Sequence, residues 1–161
     1  MTVMQMVLHG RFPYLSYPRH YTDSDRQKAT RAMETVGIGH LAHWPLHALS
    51  GGMRQNAYIA MALAQDTDYI FLDEPTTYLD VAHQLDTMRI LRRLADEGRG
   101  IVTVMHDLPL AFNFSHEIAV MKKASIAVVA PPRDISTSDV IREIFGVQVM
   151  RLEDGTFYYR H

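Results

Sequence analysis

The sequence predicts an α/β fold in which a helical N-terminal part is followed by a core built on parallel strands. Two short apolar segments, Tyr69 to Leu72 and Ile101 to Met105, each end in polar residues and are separated by a stretch with helical periodicity. Strand, helix and strand in this order predict a right-handed parallel crossover of buried strands, with the polar residues at the carboxyl edge of the sheet. We place the helical part near residues 1–48 and the core over 49–161, within one partial domain.

The N-terminal part is predicted to contain one long helix between shorter segments. The sequence Gly10 to Pro13 interrupts an opening apolar segment. A capping sequence at Thr22 to Asp25 then starts a helix that Gly37 ends. A short turn at residues 41–42 completes this part.

The core is predicted from periodicity and turn residues along the rest of the chain. Its elements, besides the two strands named above, are a helix from Gly51 or Gly52 to Ala64, a helix from Val81 closed by Gly98, strands over 118–121 and 126–129, a helix capped by Ser136 or Thr137 and reaching Phe145, and a hairpin turning at Asp154-Gly155.

Composition and length limit the classes of protein to which the chain can belong. The chain has 161 residues, of which 47% are hydrophobic, so it can bury one sizeable core. Its formal net charge of -2 argues against nucleic acid as a partner, since binding to a phosphate backbone usually requires a basic excess. The absence of cysteine fits a reducing compartment. The opening apolar run is too short for a membrane span, so we expect a cytoplasmic protein whose membrane contact requires a partner.

Ser50, Gly51 and Gly52 form the first candidate site. A hydroxyl and two residues without side chains precede a helix, where backbone N–H groups and the positive helix end favour an anion such as phosphate. Taken alone, the same three residues are also typical of an ordinary turn.

Asp73 and Glu74 form the second candidate site, at the end of the first predicted strand. One carboxylate can provide an oxygen ligand for Mg²⁺, and the other can act as a base that orients an attacking water. We assign the metal to Asp73 and the base to Glu74. The alternative is a solvated acidic turn before Pro75.

His106 and Asp80 are two further candidates. His106 follows the second predicted strand, where a ring N–H could hold a terminal phosphate or the attacking water, although a histidine at a strand end is often only a polar terminus. Asp80 precedes the helix that begins at Val81 and can cap it. A capping role and a role at the site are compatible.

In this order and spacing, the motifs resemble those of the ATP-binding-cassette (ABC) ATPases, which have a P-loop NTPase fold. The resemblance is carried by Leu49 to Gln55 as the signature loop, Tyr69 to Pro75 as the Walker B strand with its glutamate, Leu79-Asp80 as the D-loop and His106-Asp107 as the switch histidine. It implies that ATP and Mg²⁺ are cofactors.

The resemblance also implies a dimer, formed with a second copy or with a paired ATPase subunit. Ser50, Gly51 and Gly52 of one subunit would face nucleotide held by the other, and Gln55 and Asp80 are assigned to the same nucleotide site.

The amino-acid sequences of several segments narrow the resemblance to one branch of the family, the ATP-binding subunits of iron-siderophore, haem and cobalamin importers. Among these segments are Gly10 to Pro13, Ala57 to Asp66 and Asp73 to Thr77. That branch implies an integral-membrane permease as partner, a peripheral position at the inner face of the membrane, and ATP hydrolysis coupled to transport of an iron chelate. Ala124 and Ala130 stand where the family commonly has glycines.

One expected element is missing from the sequence: no G-x-x-x-x-G-K-[ST] loop occurs in the 161 residues. We therefore interpret the chain as the C-terminal portion of an importer ATPase, with ATP binding and hydrolysis expected only for the complete domain. One alternative is a non-catalytic module that supplies a signature loop to a complete partner. Another is the C-terminal lobe of a chromosome-maintenance or DNA-repair ATPase, which the lack of sustained heptads before residue 49 disfavours.

Overall fold

A computed structural model describes residues 1–160 of the chain. Contacts divide the chain into two compact units, Met1–Val104 and the residues from Met105 onward. The helices are α1 (Val3–Leu8), α2 (Asp23–Thr35), α3 (Gly51–Ala64), α4 (Val81–Asp96), α5 (Leu108–Phe114), α6 (Pro132–Ser136) and α7 (Val140–Phe145). The strands are β1 (Tyr69–Asp73), β2 (Gly100–Val104), β3 (Ile118–Lys122), β4 (Ser125–Ala130), β5 (Gln148–Arg151) and β6 (Phe157–Arg160). None of the described helices is long and apolar enough to cross a membrane.

Helix α2 begins and ends where its sequence predicts. The Thr22 hydroxyl accepts a hydrogen bond from the backbone N–H of Asp25 at 3.3 Å, and the Asp25 carboxylate accepts from the N–H of Thr22 at 3.0 Å. This reciprocal pair satisfies two N–H groups that the helix start leaves without intrahelical partners. At the other end Gly37 adopts a φ of 79°, which is accessible to glycine without strain.

Helix α3 packs closely against its neighbours. Ala57, Ala60 and Ala64 are buried along one face, and α3 contacts both α1 and α2. A side chain at Gly10 would overlap the backbone carbonyl of Met61, so only glycine lets the two backbones approach so closely. The small residues of this segment therefore permit the tight packing of the helical layer.

A buried ion pair ties the helices of this unit together. The Arg11 Nε donates to Asp25 Oδ1 at 2.9 Å, and Arg11 Nη1 donates to the carbonyl oxygens of Ala64 at 3.0 Å and Gln65 at 3.2 Å. Hydrogen bonds from Thr22, and then the one from Arg11, lower the pKa of Asp25 from 3.8 to about 2. The ion pair thus joins α2 and the end of α3 to the 3₁₀ segment that contains Arg11.

Strands β1 and β2 pair in parallel, from Tyr69 opposite Gly100 to Asp73 opposite Val104. The parallel pairing confirms the sequence prediction, but the predicted burial of both strands is wrong. Ile70 is buried, whereas Phe71 is 74% exposed and Val102 is 46% exposed. Because successive side chains point to opposite faces, burial on one face leaves the other face of this two-stranded sheet open.

The described part of the second unit, 105–160, forms two antiparallel hairpins and three short helices. Its core consists of Phe112, Val120, Ile135, Ile141, Val149 and Phe157. Strands β3 and β4 confirm the first predicted hairpin, and β5 and β6 confirm the second. Between β3 and β4, Ala124 has a φ of 60°, so alanine occupies a left-handed position where glycine is favoured.

The predicted cap of the helix that reaches Phe145 is wrong. Ser136 is the last residue of α6, and Thr137 follows it as the C-cap. The helix itself is α7, which begins after Asp139 with no side-chain cap. Pro132 explains the difference, since a proline at the first helical position starts a separate short helix that uses both hydroxyl residues at its end.

Candidate functional site

The start of α3 has the geometry expected of an anion site. The Ser50 side chain is the N-cap and accepts a hydrogen bond from the N–H of Met53 at 3.3 Å. Gly51 and Gly52 are the first two residues of this 14-residue helix, so no side-chain atoms extend from its first two positions. The N–H groups and dipole of a helix start favour negative charge. The elements predicted from Ser50-Gly51-Gly52 are therefore present, and binding of phosphate there stays a prediction.

Gly52 also faces another element. A Cβ added at Gly52 would overlap Cδ2 of His83 and lie 2.6 Å from its Cγ and 2.9 Å from its Nε2. His83 belongs to the first turn of α4. The start of α4 therefore contacts the start of α3 through the imidazole ring of His83, which packs against Gly52.

Asp80 is the N-cap of α4, as its sequence predicts. Its carboxylate accepts from the backbone N–H of His83 at 2.9 Å and also lies 2.8 Å from His83 Nδ1. These hydrogen bonds, led by the one from the backbone N–H, lower the pKa of Asp80. Because an ionised carboxylate can only accept, the ring donates from Nδ1. The assignment of Asp80 to a nucleotide site stays a prediction.

Asp73 and Glu74 lie at the carboxyl end of β1. Asp73 is the last strand residue and is exposed, whereas Glu74 is half-buried. The backbone N–H of Glu74 donates to the carbonyl of Val104 at 3.0 Å, and the Thr77 hydroxyl donates to Glu74 Oε2 at 2.8 Å. Two adjacent carboxylates of different exposure at a strand end can divide cation binding and water activation between them.

The backbone at Glu74 is strained. Its φ of 46° lies in the left-handed region, which non-glycine residues adopt only when their surroundings hold them there. The hydrogen bonds to Val104 and from Thr77 supply that constraint. Tyr78, four residues on, also has a positive φ of 65° and its side chain is fully exposed. The sequence gives no signal for either conformation.

The remaining predicted site residues are Gln55 and His106. Gln55 lies in α3 and is half-buried. His106 is exposed and directly precedes Asp107, which caps α5 by accepting from the N–H of Leu110 at 2.9 Å. His106 belongs to the second compact unit and Glu74 to the first, so their predicted proximity stays a prediction.

Among the described residues, no group of three or more His, Asp or Glu side chains is arranged to hold a metal ion. An ion at Asp73 would therefore take most of its ligands from water or phosphate, as Mg²⁺ usually does in nucleotide sites.

The sequence is similar to proteins of one family. The family model for ABC transporters matches residues 2–77. The iron(3+)-hydroxamate import ATP-binding protein FhuC of Bacillus subtilis is 41% identical over 96% of this chain. The ferric enterobactin transport ATP-binding protein FepC of Escherichia coli is 37% identical over 95% of it. The chain spans 58% of FhuC and 57% of FepC.

Solved structures agree with the sequence comparison. An inward-facing ABC transporter of metal-chelate type superposes with a TM-score of 0.88 at 27% identity, covering 100% of this chain and 67% of its own. An ATP-binding cassette in its ADP conformation superposes with a TM-score of 0.78 at 21% identity, covering 90% of this chain and 62% of its own, and supports the fold alone.

The α/β fold and the sequence similarity define the class of protein: the chain has the fold of ABC ATPase domains and is similar to them over part of their length. Among the similar proteins are ATP-binding proteins of ferric enterobactin transport and iron(3+)-hydroxamate import.

Proposed function

We propose that these residues are part of the ATP-binding subunit of an ABC importer for iron-siderophore or related chelates, and that the complete subunit couples ATP hydrolysis to transport. The observation that carries the proposal is the 41% identity to an iron(3+)-hydroxamate import ATP-binding protein over 96% of the chain. The capped glycine start of α3 and the two carboxylates at the end of β1 support it, because both suit a phosphate site.

The residues present fit ATP and Mg²⁺ in their chemistry. The start of α3 has no side chains at its first two positions, which suits close approach of a phosphate. Asp73 would provide an exposed carboxylate oxygen for Mg²⁺, and Glu74, whose Oε2 accepts a hydrogen bond from the Thr77 hydroxyl, would orient or deprotonate water. ATP supplies the terminal phosphoryl group and the free energy of its hydrolysis. His106 is proposed as the residue that holds that phosphate or the water.

The proposal includes partners and a location. Ser50, Gly51 and Gly52 would face nucleotide held by a second ATPase subunit, either a copy of the same protein or a paired one. The G-x-x-x-x-G-K-[ST] loop, which the 161 residues do not contain, would be needed to bind the β- and γ-phosphates. A membrane permease would hold the assembly at the cytoplasmic face of the membrane.

A chimeric transporter tests this proposal. Residues 1–161 would replace the matching part of FhuC, in a Bacillus subtilis strain that lacks its own FhuC. We expect the chimera to restore uptake of radiolabelled iron(3+) hydroxamate. The control is the chimera with Glu74→Gln, which keeps the size of the side chain and should be expressed equally but transport no iron.

The possible outcomes distinguish the assignment to chelate import from the proposed ATPase role. A chimera that hydrolyses ATP and transports no iron would contradict the assignment to chelate import. A chimera that is folded and membrane-bound but neither hydrolyses ATP nor transports iron would contradict the ATPase role, and would favour a non-catalytic module.

A further inference from the structure

His83 has two neighbours that matter for the proposed site. Its Nδ1 lies 2.8 Å from the carboxylate of Asp80, and its ring occupies the space where Gly52 would carry a side chain. The ring is half-buried, so it lies between the two helix starts and is still partly open to solvent. One side chain therefore contacts both Asp80 and the first turn of α3.

Both contacts are made in one orientation of the ring. In it, Nδ1 lies within hydrogen-bond distance of Asp80 while Cδ2 and Nε2 lie over Gly52. A larger residue at position 52 would push the ring away and break its hydrogen bond to Asp80. Conversely, loss of the ring would leave space beside Gly52 and remove the contact between the helix starts.

We propose that His83 is a positioning residue that fixes the start of α3 relative to Asp80. This inference rests on the proposed function, because positioning matters only if the start of α3 faces a phosphate. A phosphate at Ser50–Gly52 would then be held at a set distance from the segment that contains Asp80. Small displacements of groups around a reacting phosphate can reduce turnover strongly.

A double-mutant cycle on residues 1–161 tests the contact without any activity. In the unchanged chain, we expect Gly52→Ala to lower the urea midpoint of unfolding, because the added methyl overlaps the His83 ring. In the His83→Ala background, Gly52→Ala should leave the midpoint unchanged or raise it, because alanine is a better helix former than glycine. The same effect of Gly52→Ala in both backgrounds would overturn the proposal.

Kinetics of the chimera test the positioning role. We expect His83→Ala to lower kcat for ATP hydrolysis about tenfold while the KM for ATP changes little, because the misplaced groups contribute to turnover more than to binding. His83→Asn should restore most of kcat, since its amide nitrogen stands where Nδ1 stood and its oxygen where Cδ2 stood. His43→Ala, at an exposed histidine of the same unit, is the control and should have no effect.

Three results would overturn the role. They are an unchanged kcat in His83→Ala, a His83→Asn variant no more active than His83→Ala, and equal losses in His83→Ala and His43→Ala. An inactive parent chimera would count against the proposed function, whereas the double-mutant cycle would still decide whether His83 and Gly52 are in the contact on which the positioning role depends.

Discussion

Arg11 shows how a single buried charge can organise the packing of several helices. Its side chain is almost fully buried and donates to the Asp25 carboxylate and to two carbonyl oxygens at the end of α3. A buried charge is costly to leave without a partner, so the pair is far more sensitive to removal of one member than a surface pair. The interrupting segment Gly10 to Pro13 therefore has a structural role.

Replacing Arg11 should destabilise the chain strongly. Arg11→Ala leaves Asp25 buried without its cation, and we expect a loss of about 3–5 kcal/mol in the free energy of unfolding. The control is Arg89→Ala, which removes an exposed ion pair with Asp86 and should change that free energy by less than about 1 kcal/mol. Urea denaturation measures both. Equal losses for the two variants would contradict the account.

Asp25 should contribute to stability in a defined pH range. Its pKa falls from 3.8 to about 2 in the folded chain, so the stabilisation is complete above about pH 4 and is lost as the pH falls toward 2. Asp25→Asn should therefore be less stable than the parent at neutral pH, and the difference should shrink between pH 4 and pH 2. Denaturation at several pH values measures it. A difference that stays constant between pH 4 and pH 2 would contradict the lowered pKa of Asp25 in the folded chain.

At the scale of elements, the starts of α2, α3 and α4 were predictable, whereas the start of α7 and the burial of the strands were not. The caps at Thr22, Ser50 and Asp80 follow from signals within four residues, which the sequence contains. Burial of β1 depends on which layers cover the sheet. The apolar sequence of the strand does not indicate whether one face or both faces are covered. The position of His83 over Gly52 depends on packing between α3 and α4, although the Asp80-x-x-His83 spacing on one helix face was an available signal.

ATP turnover should be reduced less by loss of the α3 cap than by a positive charge at the same position. In the chimera, Ser50→Arg should abolish ATP turnover, because a long cation at the helix start blocks close approach to the partner's phosphate. Ser50→Ala is the matched control: it loses the same cap, which typically contributes about 1 kcal/mol, and adds no bulk. Steady-state phosphate release distinguishes them. A Ser50→Arg chimera that releases phosphate as fast as its parent would exclude the start of α3 from the site.

At the scale of the whole molecule, the open face of the β1–β2 sheet is an exposed apolar surface of the first unit. Tyr69, Phe71, Val102 and Val104 share this face, and all are exposed. Exposed apolar side chains on adjacent strands favour association with another surface. When the 161-residue chain is alone in solution, the apolar surface with which this face can associate is the same face of a second copy.

We therefore expect residues 1–161 to self-associate in a concentration-dependent way, which sedimentation velocity or light scattering can measure. Phe71→Lys should reduce the association, because it places a charge at the centre of the apolar face. Phe12→Lys is the control, since Phe12 is also exposed but does not belong to the sheet. A compact monomer at all concentrations would contradict this expectation.

The central claim is that these residues provide the catalytic edge of an ATPase, and hydrolysis by the purified chimera tests it most directly. We predict that Glu74→Gln reduces phosphate release by about a hundredfold or more, the usual contribution of a general base, while ATP is still bound and retained. The Thr77 hydroxyl can still donate to the amide oxygen, so the local structure should persist. A Glu74→Gln chimera that hydrolyses ATP as fast as its parent would contradict the account.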